Sequence, residues 1–185
     1  MSSEAAHFLV GAMLALPAVK SREITKALPA WTIPISSGIL ATLPDLDLGW
    51  KHVFGPSHDN FLGHRGFFHS PFFLVSAAGV LAAIFTWRHS RRTFGWLWLL
   101  WAGCMITHPL LDSLTTSGGG VMLLAPFTRA RFHLAWRPLQ SAEVGQSLVE
   151  RAWLLRSSEI PFCAVAAVIG LVGLLLPRRE PPRQS

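Results

Sequence analysis

The fold class that the sequence predicts is all-α: a polytopic integral membrane bundle of about five membrane-embedded helices with an outward-facing metal site. Hydrophobic residues make up 51% of the 185-residue chain, charged residues only 14%, and the mean hydropathy is positive, +0.40. Apolar runs recur along the chain, some long enough for the roughly 20 residues that cross a bilayer. This composition favours a membrane protein over a soluble domain. The length favours one embedded domain over residues 1–177, followed by a basic tail over 178–185.

The first predicted helix covers residues 5–19, with the sequence AAHFLVGAMLALPAV. It has the apolar character of a secretory signal, but no Lys or Arg precedes it, and the basic cluster of Lys20, Arg22 and Lys26 follows it. A signal peptide carries its positive charge first. We therefore expect a retained, membrane-embedded helix.

Four more apolar segments predict the remaining helices, at about 29–43, 69–87, 94–114 and 160–176. The segments 69–87 and 94–114 are long enough to cross the membrane, and Ser70 is placed to cap the start of the former. The segments 5–19 and 29–43 are short, and 29–43 also contains Pro34. We expect these two to form a shallow or partly re-entrant pair that the other helices shield.

Basic residues indicate the orientation of the bundle. With the N-terminus outside, the cytoplasmic segments are about 20–26, 88–93 and 177–185. They hold nine of the 16 Lys and Arg residues, namely Lys20, Arg22, Lys26, Arg88, Arg91, Arg92, Arg178, Arg179 and Arg183. An excess of Lys and Arg in short cytoplasmic segments is the positive-inside pattern. We predict a bacterial-type cytoplasmic membrane, with the N-terminus outside and the C-terminus cytoplasmic.

The same charge distribution argues against nucleic acid as a partner. The pI of about 10.7 is mostly explained by the basic membrane-flanking segments. A DNA- or RNA-binding protein would instead need a basic face on a soluble module, and the sequence shows none. The oligomeric state is not written in the sequence.

Histidines and aspartates converge on the predicted outer edge of the membrane. One histidine lies in the first predicted helix, and the motif LPDLD follows the second helix. The motif GHRGFFHS leads into the third helix, and HPLLD ends the fourth. These residues are His7, Asp45, Asp47, His64, His69, His108 and Asp112. Ionisable groups near the bilayer are costly and usually have a partner or a function. We therefore predict that they form one site.

The residue types predict a divalent metal. Mixed imidazole and carboxylate ligands suit Zn²⁺, Mn²⁺ or Fe²⁺ better than Ca²⁺ or Mg²⁺. Of the first three ions, Zn²⁺ is the one that we expect. His108 and Asp112 are four residues apart and share one helix face. Seven candidate ligands exceed the needs of one tetrahedral ion, so one or two ions are open. No C-x-x-C pair occurs, and the two cysteines are interpreted as small helix residues.

Each motif alone also has an ordinary explanation. A histidine in a loop at the membrane edge is commonly an interfacial polar residue, and LPDLD is also compatible with a helix end and its capping turn. A single H-x-x-x-D is weak, because polar pairs at this spacing are common. The convergence of four motifs on one side of the membrane favours the metal site.

In order, the motifs resemble the YdjM-like family: His7, LPDLD, GHRGFFHS, HPLLDSLT, a glycine-rich turn and LLAP. The resemblance covers most of residues 5–155. Members are described as LexA-regulated, membrane-bound, metal-dependent hydrolases, distantly similar to zinc-dependent phospholipase C and single-strand nucleases. The resemblance therefore implies a His/Asp metal site that hydrolyses phosphodiesters or related esters.

The resemblance marks the seven metal-site candidates and some further residues. The further residues are Arg65, Thr115, Gly118, Arg131, Phe132 and Glu150. Two positions depart from the pattern. Phe68 stands where a threonine hydroxyl is common, and Leu48 stands where a polar residue often follows the second aspartate. Both departures weaken the case for a second ion more than for the first.

The predicted outer segment 121–158 has the composition of a stretch at the membrane surface. Its first part alternates apolar and basic residues, including Arg129 and Arg131, which suit either an anionic substrate or lipid headgroups. Residues 141–156 predict an amphipathic helix with Glu150 on its polar face. Glu150 is open to a role as general base or further ligand, and equally to that of a solvated helix charge.

The predicted function is a membrane-bound metal-dependent hydrolase. A bound ion would activate water, Asp45, Asp47 or Glu150 would accept a proton, and Arg65 would stabilise the developing negative charge. The expected substrate is a membrane lipid or an amphiphilic small molecule carrying a phosphoester or ester. The alternative is a non-enzymatic membrane protein that binds or transports metal with the same ligands. Serine hydrolase chemistry is disfavoured because no G-x-S-x-G motif occurs, and zinc protease chemistry is disfavoured because no H-E-x-x-H motif occurs.

Overall fold

The computed structural model describes residues 3–49, 61–116, 119–140 and 148–177. Over these residues the protein is helical and carries two isolated β-bridges but no β-strand. The five α-helices are α1 (Glu4–Leu14), α2 (Thr32–Thr42), α3 (Pro71–Thr86), α4 (Arg91–Ser113) and α5 (Leu148–Leu175). The all-α prediction is confirmed for this part of the chain.

Two helical stretches among the described residues are long and apolar enough to cross a membrane. They are Arg91–Ser113, which is α4, and Ser157–Leu175 within α5. In contrast, α1 and α2 have 11 residues each, about 16 Å of helix at 1.5 Å per residue, against a hydrocarbon core of about 30 Å. Five crossings are therefore not confirmed, whereas the shortness of the first two helices agrees with the sequence.

Proline residues set the limits of the short helices. Pro17 has no backbone N–H to donate, which disfavours continuation of the α-helix at this point. As a result α1 stops at Leu14, and a 3₁₀ helix follows at Leu16–Lys20. After α2 the chain tightens into a 3₁₀ helix at Leu43–Gly49, which carries both aspartates of LPDLD.

The last helix corrects the prediction. The sequence predicts one helix over 141–156 and another over 160–176, but the structure has a single helix from Leu148 to Leu175 that runs through Pro161. Charged residues such as Glu150 lower hydropathy without interrupting a helix, and no glycine lies between 148 and 160 to end one. Residues 141–147 and the predicted tail 178–185 lie outside the described residues.

The core lies between α3 and α4. Each helix buries a stripe of residues spaced four apart, which places them on one face. The stripe residues are Leu74, Ala78 and Ala82 on α3 and Leu97, Trp101 and Met105 on α4, all between 0% and 2% exposed. The Trp98 indole N–H donates to the Val75 carbonyl oxygen at 2.9 Å and fixes the register of the pair. The same face of α4 continues into His108 and Asp112.

Large apolar side chains cover the outside of the bundle. Val80 and Ile84 on α3, Leu99 on α4, and Val168 and Leu175 on α5 are 60–80% exposed. A soluble monomer rarely exposes contiguous apolar surface on this scale. The surface is that of a protein surrounded by lipid.

The two ends of the bundle differ in chemistry. One end gathers the His/Asp motifs, and the other gathers the basic segments. At the basic end the Lys26 ammonium lies 3.0 Å from Glu23, and His89 Nε2 lies 2.9 Å from the Lys26 carbonyl oxygen. Lys20 there donates to the carbonyl oxygen of Leu176. The separation of charge types that the sequence predicts is therefore present in the fold.

We expect the basic end to face the cytoplasm, because short Lys- and Arg-rich segments are retained on that side. Reporter fusions after residue 26 and after residue 92 should give cytoplasmic signals, and a fusion near residue 57 should give an external signal. An external signal after residue 92, or a cytoplasmic one near residue 57, would place the His/Asp end on the opposite side of the membrane.

Candidate metal centre

Four separate elements deliver the His/Asp cluster, which we define as His7, Asp45, Asp47, His64, His69, His108 and Asp112. His7 lies in α1, the first two aspartates lie in the 3₁₀ helix after α2, and the next two histidines lie in the turn before α3. His108 and Asp112 lie in the last turns of α4. Every member is buried, with side-chain exposure between 0% and 7%.

The GHRGFFHS turn holds His64, Arg65 and His69 in place through its glycine and its backbone hydrogen bonds. A Cβ atom at Gly66 would lie 2.3 Å from the Phe61 carbonyl oxygen, so no other residue fits there. Arg65 has φ of 61°, a left-handed conformation that a non-glycine residue adopts only when its surroundings enforce it. The turn ends at Ser70, whose hydroxyl caps α3 by accepting from the Phe73 N–H, as predicted.

A second segment braces this turn from outside. We call residues 119–140 the cap segment; it is closed on itself by an antiparallel bridge between Val121 and Phe132. The Met122 N–H donates to the Arg65 carbonyl oxygen at 2.9 Å, and the Arg131 guanidinium donates to the His64 carbonyl oxygen at 3.3 Å. These contacts supply part of what holds Arg65 in its unusual conformation.

Close packing of α1 on α2 brings His7 to the cluster. A Cβ atom at Gly11 would lie 2.5 Å from the Ala41 Cβ, so the crossing depends on glycine at this position. One result is that the His7 and His108 rings stack, with centroids 3.6 Å apart and planes 16° apart. His7 Nε2 lies 3.8 Å from Asp112 Oδ1.

Three of the four histidines in the cluster have a buried Nε2 without a hydrogen bond, and in His69 the Nδ1 has none either. His108 Nδ1 lies 2.8 Å from the Ala41 carbonyl oxygen, and His64 Nδ1 lies 3.0 Å from Asp47 Oδ1. The Nε2 atoms of His64, His69 and His108 are buried and have no hydrogen-bond partner. A buried nitrogen in this condition is costly, and a metal ion is a partner that satisfies it.

The carboxylates complete two overlapping sets of ligand atoms. One set is Asp45, His69, His108 and Asp112, and the other is Asp45, Asp47, His64 and His69; in each, the ligand atoms lie within 4.8 Å of one another. Asp45 Oδ1 is central, at 3.4 Å from His108 Nε2 and 3.5 Å from His69 Nε2. Both Asp45 oxygens are buried without a hydrogen bond. Oxygen and imidazole donors at this spacing fit a divalent cation such as Zn²⁺.

Arg65 makes contacts that the sequence does not reveal. Its Nε and Nη2 donate to the two oxygens of Asp112, both at 3.1 Å, and Nη2 also donates to Thr115 Oγ1 at 3.0 Å. The Thr115 hydroxyl in turn donates to the Asp112 carbonyl oxygen at 2.7 Å. With 3% exposure, Arg65 is positioned to orient Asp112. Its predicted role in stabilising developing charge stays a prediction.

The electrostatics of the loop residues reflect an excess of negative charge. Burial opposes protonation of His69, but the neighbouring Asp45 and Asp47 carboxylates outweigh it and raise the pKa of His69 to about 9. Burial by itself raises the pKa of Asp45 and Asp47, yet the adjacent histidines lower the pKa of both below the usual value. For His64, burial is the largest influence and lowers its pKa. A cation that bound through His69 would therefore compete with a proton for its ring.

Several residues marked by the sequence belong to neither ligand set. Glu150 is exposed in the first turn of α5 and belongs to neither ligand set. Arg129 is exposed and lies over the Phe61 ring at 5.6 Å. Arg131 braces the turn, Phe132 forms the bridge of the cap segment, and Gly118 lies outside the described residues.

One contact that fixes the cluster was not predicted. Glu159 of α5 is buried and accepts hydrogen bonds from the backbone N–H and the hydroxyl of Ser3. Ser3 caps α1, the helix that carries His7. A glutamate inside an apolar segment, at the start of 160–176, is the signal in the sequence that points to such a contact.

The known proteins that this chain matches are inner membrane proteins. A family model described as YdjM inner membrane protein matches residues 1–179. Inner membrane protein YbcI of Escherichia coli (strain K12) is 39% identical over 105 residues, which cover 56% of this chain and 59% of that relative. The match thus spans less than two thirds of the relative's length. No solved structure matches the chain.

Proposed function

This chain belongs to the YdjM inner membrane protein family, and on that premise we propose that it is a membrane-bound metal-dependent hydrolase of phosphoesters or lipid-like esters. The observation that supports the proposal most is the buried cluster at one end of the bundle. It holds three carboxylates, one guanidinium, and histidine Nε2 atoms without partners. Such an arrangement is too costly to serve packing alone.

The residues that would hold the ion are Asp45, His69, His108 and Asp112, with the overlapping set of Asp45, Asp47, His64 and His69 beside them. A divalent ion held by these residues would supply an activated water and a Lewis acid for a phosphoryl or carbonyl oxygen. Arg65 keeps Asp112 ionised and oriented through two hydrogen bonds. We propose that Asp45, both of whose oxygens are buried without a hydrogen bond, accepts the proton.

The position of the cluster favours hydrolysis over transport. His108 and Asp112 lie in the last turns of a 23-residue helix, within about 8 Å of its end at 1.5 Å per residue. A transporter places its ligands near the bilayer midplane, with access from both sides. A site at one edge of the membrane instead reaches molecules at headgroup depth, which we propose to be on the outer side.

The cap segment supports an amphiphilic substrate. Phe127 and Trp136 are 83% and 67% exposed, and the basic residues Arg129 and Arg137 are exposed beside them. Aromatic and basic side chains together suit the headgroup region of a membrane. A substrate held there would present its ester bond close to Asp45 and His64, which at 7% and 5% are among the more exposed members of the cluster.

One observation favours the alternative, a non-enzymatic protein that binds or moves metal. His7, His69 and His108 are 0% exposed, so a substrate larger than water reaches the ion only along the Asp45 and His64 side. A metal-binding or transport role requires no such path.

The two functions are separated by parallel assays on protein purified in detergent and metal-loaded. We expect hydrolysis of an amphiphilic phosphoester or ester, lost with chelator and restored by Zn²⁺ or Mn²⁺. Asp45→Asn should remove the activity, since a neutral amide cannot replace the ligand's charge, and Glu23→Gln is the carboxylate control at the basic end of the bundle. If no ester or phosphoester were turned over, while proteoliposomes took up metal, transport would replace hydrolysis as the function.

A further inference from the structure

We infer that Asp47 is a positioning residue that holds the His69 and His64 rings, and that a single ion is bound by Asp45, His69, His108 and Asp112. This inference rests on the metal site of the proposed function. It changes the role expected for Asp47, which the sequence presents as a ligand equal to Asp45.

The first step is the geometry around His69. Its Nε2 faces the ligand set, at 3.5 Å from Asp45 Oδ1 and 3.8 Å from Asp112 Oδ2. Its Nδ1 is the other ring nitrogen and lies 3.2 Å from Asp47 Oδ2. A histidine that binds a metal through one nitrogen usually donates the other N–H to a carboxylate or carbonyl oxygen. Asp47 Oδ2 lies at that supporting position, at contact distance from Nδ1 but without forming a hydrogen bond to it.

The other oxygen of Asp47 contacts a second histidine, and this contact is a hydrogen bond. Asp47 Oδ1 lies 3.0 Å from His64 Nδ1 and forms a hydrogen bond with it. Both oxygens of this carboxylate thus lie against the Nδ1 atoms of two histidines. Asp45 differs, because both of its oxygens are buried without any hydrogen bond.

His108 shows the same arrangement with a different acceptor. Its Nδ1 lies 2.8 Å from the Ala41 carbonyl oxygen, and its Nε2 is buried without a partner, 3.4 Å from Asp45 Oδ1. Backbone in one case and Asp47 in the other therefore fix the two histidines of the ligand set. An oxygen atom thus faces Nδ1 in both histidines, which leaves Nε2 of each toward the ligand set.

Charge favours one ion over two. Asp45, Asp47 and Asp112 carry three negative charges, and the bidentate contact with Arg65 offsets one of them. A single divalent ion offsets the other two when the histidines are neutral. A second divalent ion would leave two positive charges in a buried site, which is costly without further anions.

Cobalt is the probe for this inference, because visible Co²⁺ absorption reports on the ligand set directly. Wild type should bind one Co²⁺ per chain. Asp47→Asn should also bind one, with the same band positions and intensities, and with affinity lower by about 10- to 100-fold, as typical for loss of a supporting carboxylate. Asp45→Asn should lose the cobalt or change its spectrum.

His64→Ala is a second variant, useful if Asp47→Asn fails to fold, and it should retain one cobalt with the wild-type spectrum. Binding of two Co²⁺ by wild type would overturn the inference. Loss or spectral change of the cobalt in Asp47→Asn or His64→Ala, matching that in Asp45→Asn, would overturn it too. In both cases the proposed function stands. Wild type that binds no cobalt, zinc or manganese would instead remove the metal site itself, and the proposed function with it.

Discussion

His108→Ala is expected to release the metal, whereas His89→Ala is expected to leave the metal content at the wild-type value. His108 lies in the last turns of α4, whereas His89 lies in the turn before that helix and is hydrogen-bonded to the Lys26 carbonyl oxygen at the basic end. His108 is 0% exposed, and its Nε2 lies 3.4 Å from Asp45 and 3.8 Å from Asp112. Its removal takes away one metal ligand and leaves the negative charges of Asp45 and Asp112 without the imidazole that they face.

The expected size follows from what remains in the site. A buried charge that loses its partner costs about 3–5 kcal/mol, which corresponds to roughly two to four orders of magnitude in metal affinity. Metal analysis of the purified variants, with a chelator competition for affinity, measures the loss. Equal metal content in His108→Ala, His89→Ala and wild type would exclude His108 as a ligand.

Arg65→Met is expected to lower the free energy of unfolding of the metal-free protein by about 3–5 kcal/mol, because it strands the buried Asp112 carboxylate without its bidentate partner. Methionine has a similar length and no charge, and it meets the same left-handed backbone at this position. Denaturant titration in mild detergent, followed by circular dichroism, measures the change.

Two further variants serve as controls for Arg65→Met. Arg129→Met removes an exposed arginine and should change stability by less than about 0.5 kcal/mol. Arg65→Lys keeps the charge but loses the fork that reaches both oxygens of Asp112, so it should fall between the wild type and Arg65→Met. If Arg65→Met proved as stable as Arg129→Met, the contact with Asp112 would not be the one that holds this end of the bundle.

The convergence of the cluster was predictable from sequence because helix ends are predictable. Apolar segments alternate in direction across a membrane, so LPDLD after the second, GHRGFFHS before the third and HPLLD at the end of the fourth fall on one side. The spacing of four places His108 and Asp112 on one face of α4. No tertiary information is needed for either step.

The roles of individual residues within the cluster were not predictable, because they depend on contacts between elements. The carbonyl oxygen of Ala41 orients His108 only because α2 packs against α4. Asp45 and Asp47 look alike in LPDLD, yet one faces the ligand set and the other faces Nδ1 of two histidines. Likewise, nothing in GHRGFFHS shows that Arg65 reaches Asp112 rather than a substrate.

The extent of α5 was missed for a different reason. Hydropathy detects the part of a helix that lies in lipid, and it correctly located the apolar stretch that the structure places at Ser157–Leu175. It does not detect the helical turns from Leu148 onward, which carry charge and extend the same helix beyond that stretch. Periodicity alone predicted two helices where one continuous backbone exists.

The contact between Ser3 and Glu159 sets an order of events during synthesis. Chains enter the membrane from the N-terminus, so α1 with His7 emerges early and α5 with Glu159 emerges last. Until α5 arrives, the cap of α1 lacks the carboxylate that fixes it. His7 is therefore synthesised first among the cluster residues, but its helix is held in place only after α5 has been made. We therefore expect stable metal binding to require the complete bundle, and a chain truncated before α5 to bind metal more weakly.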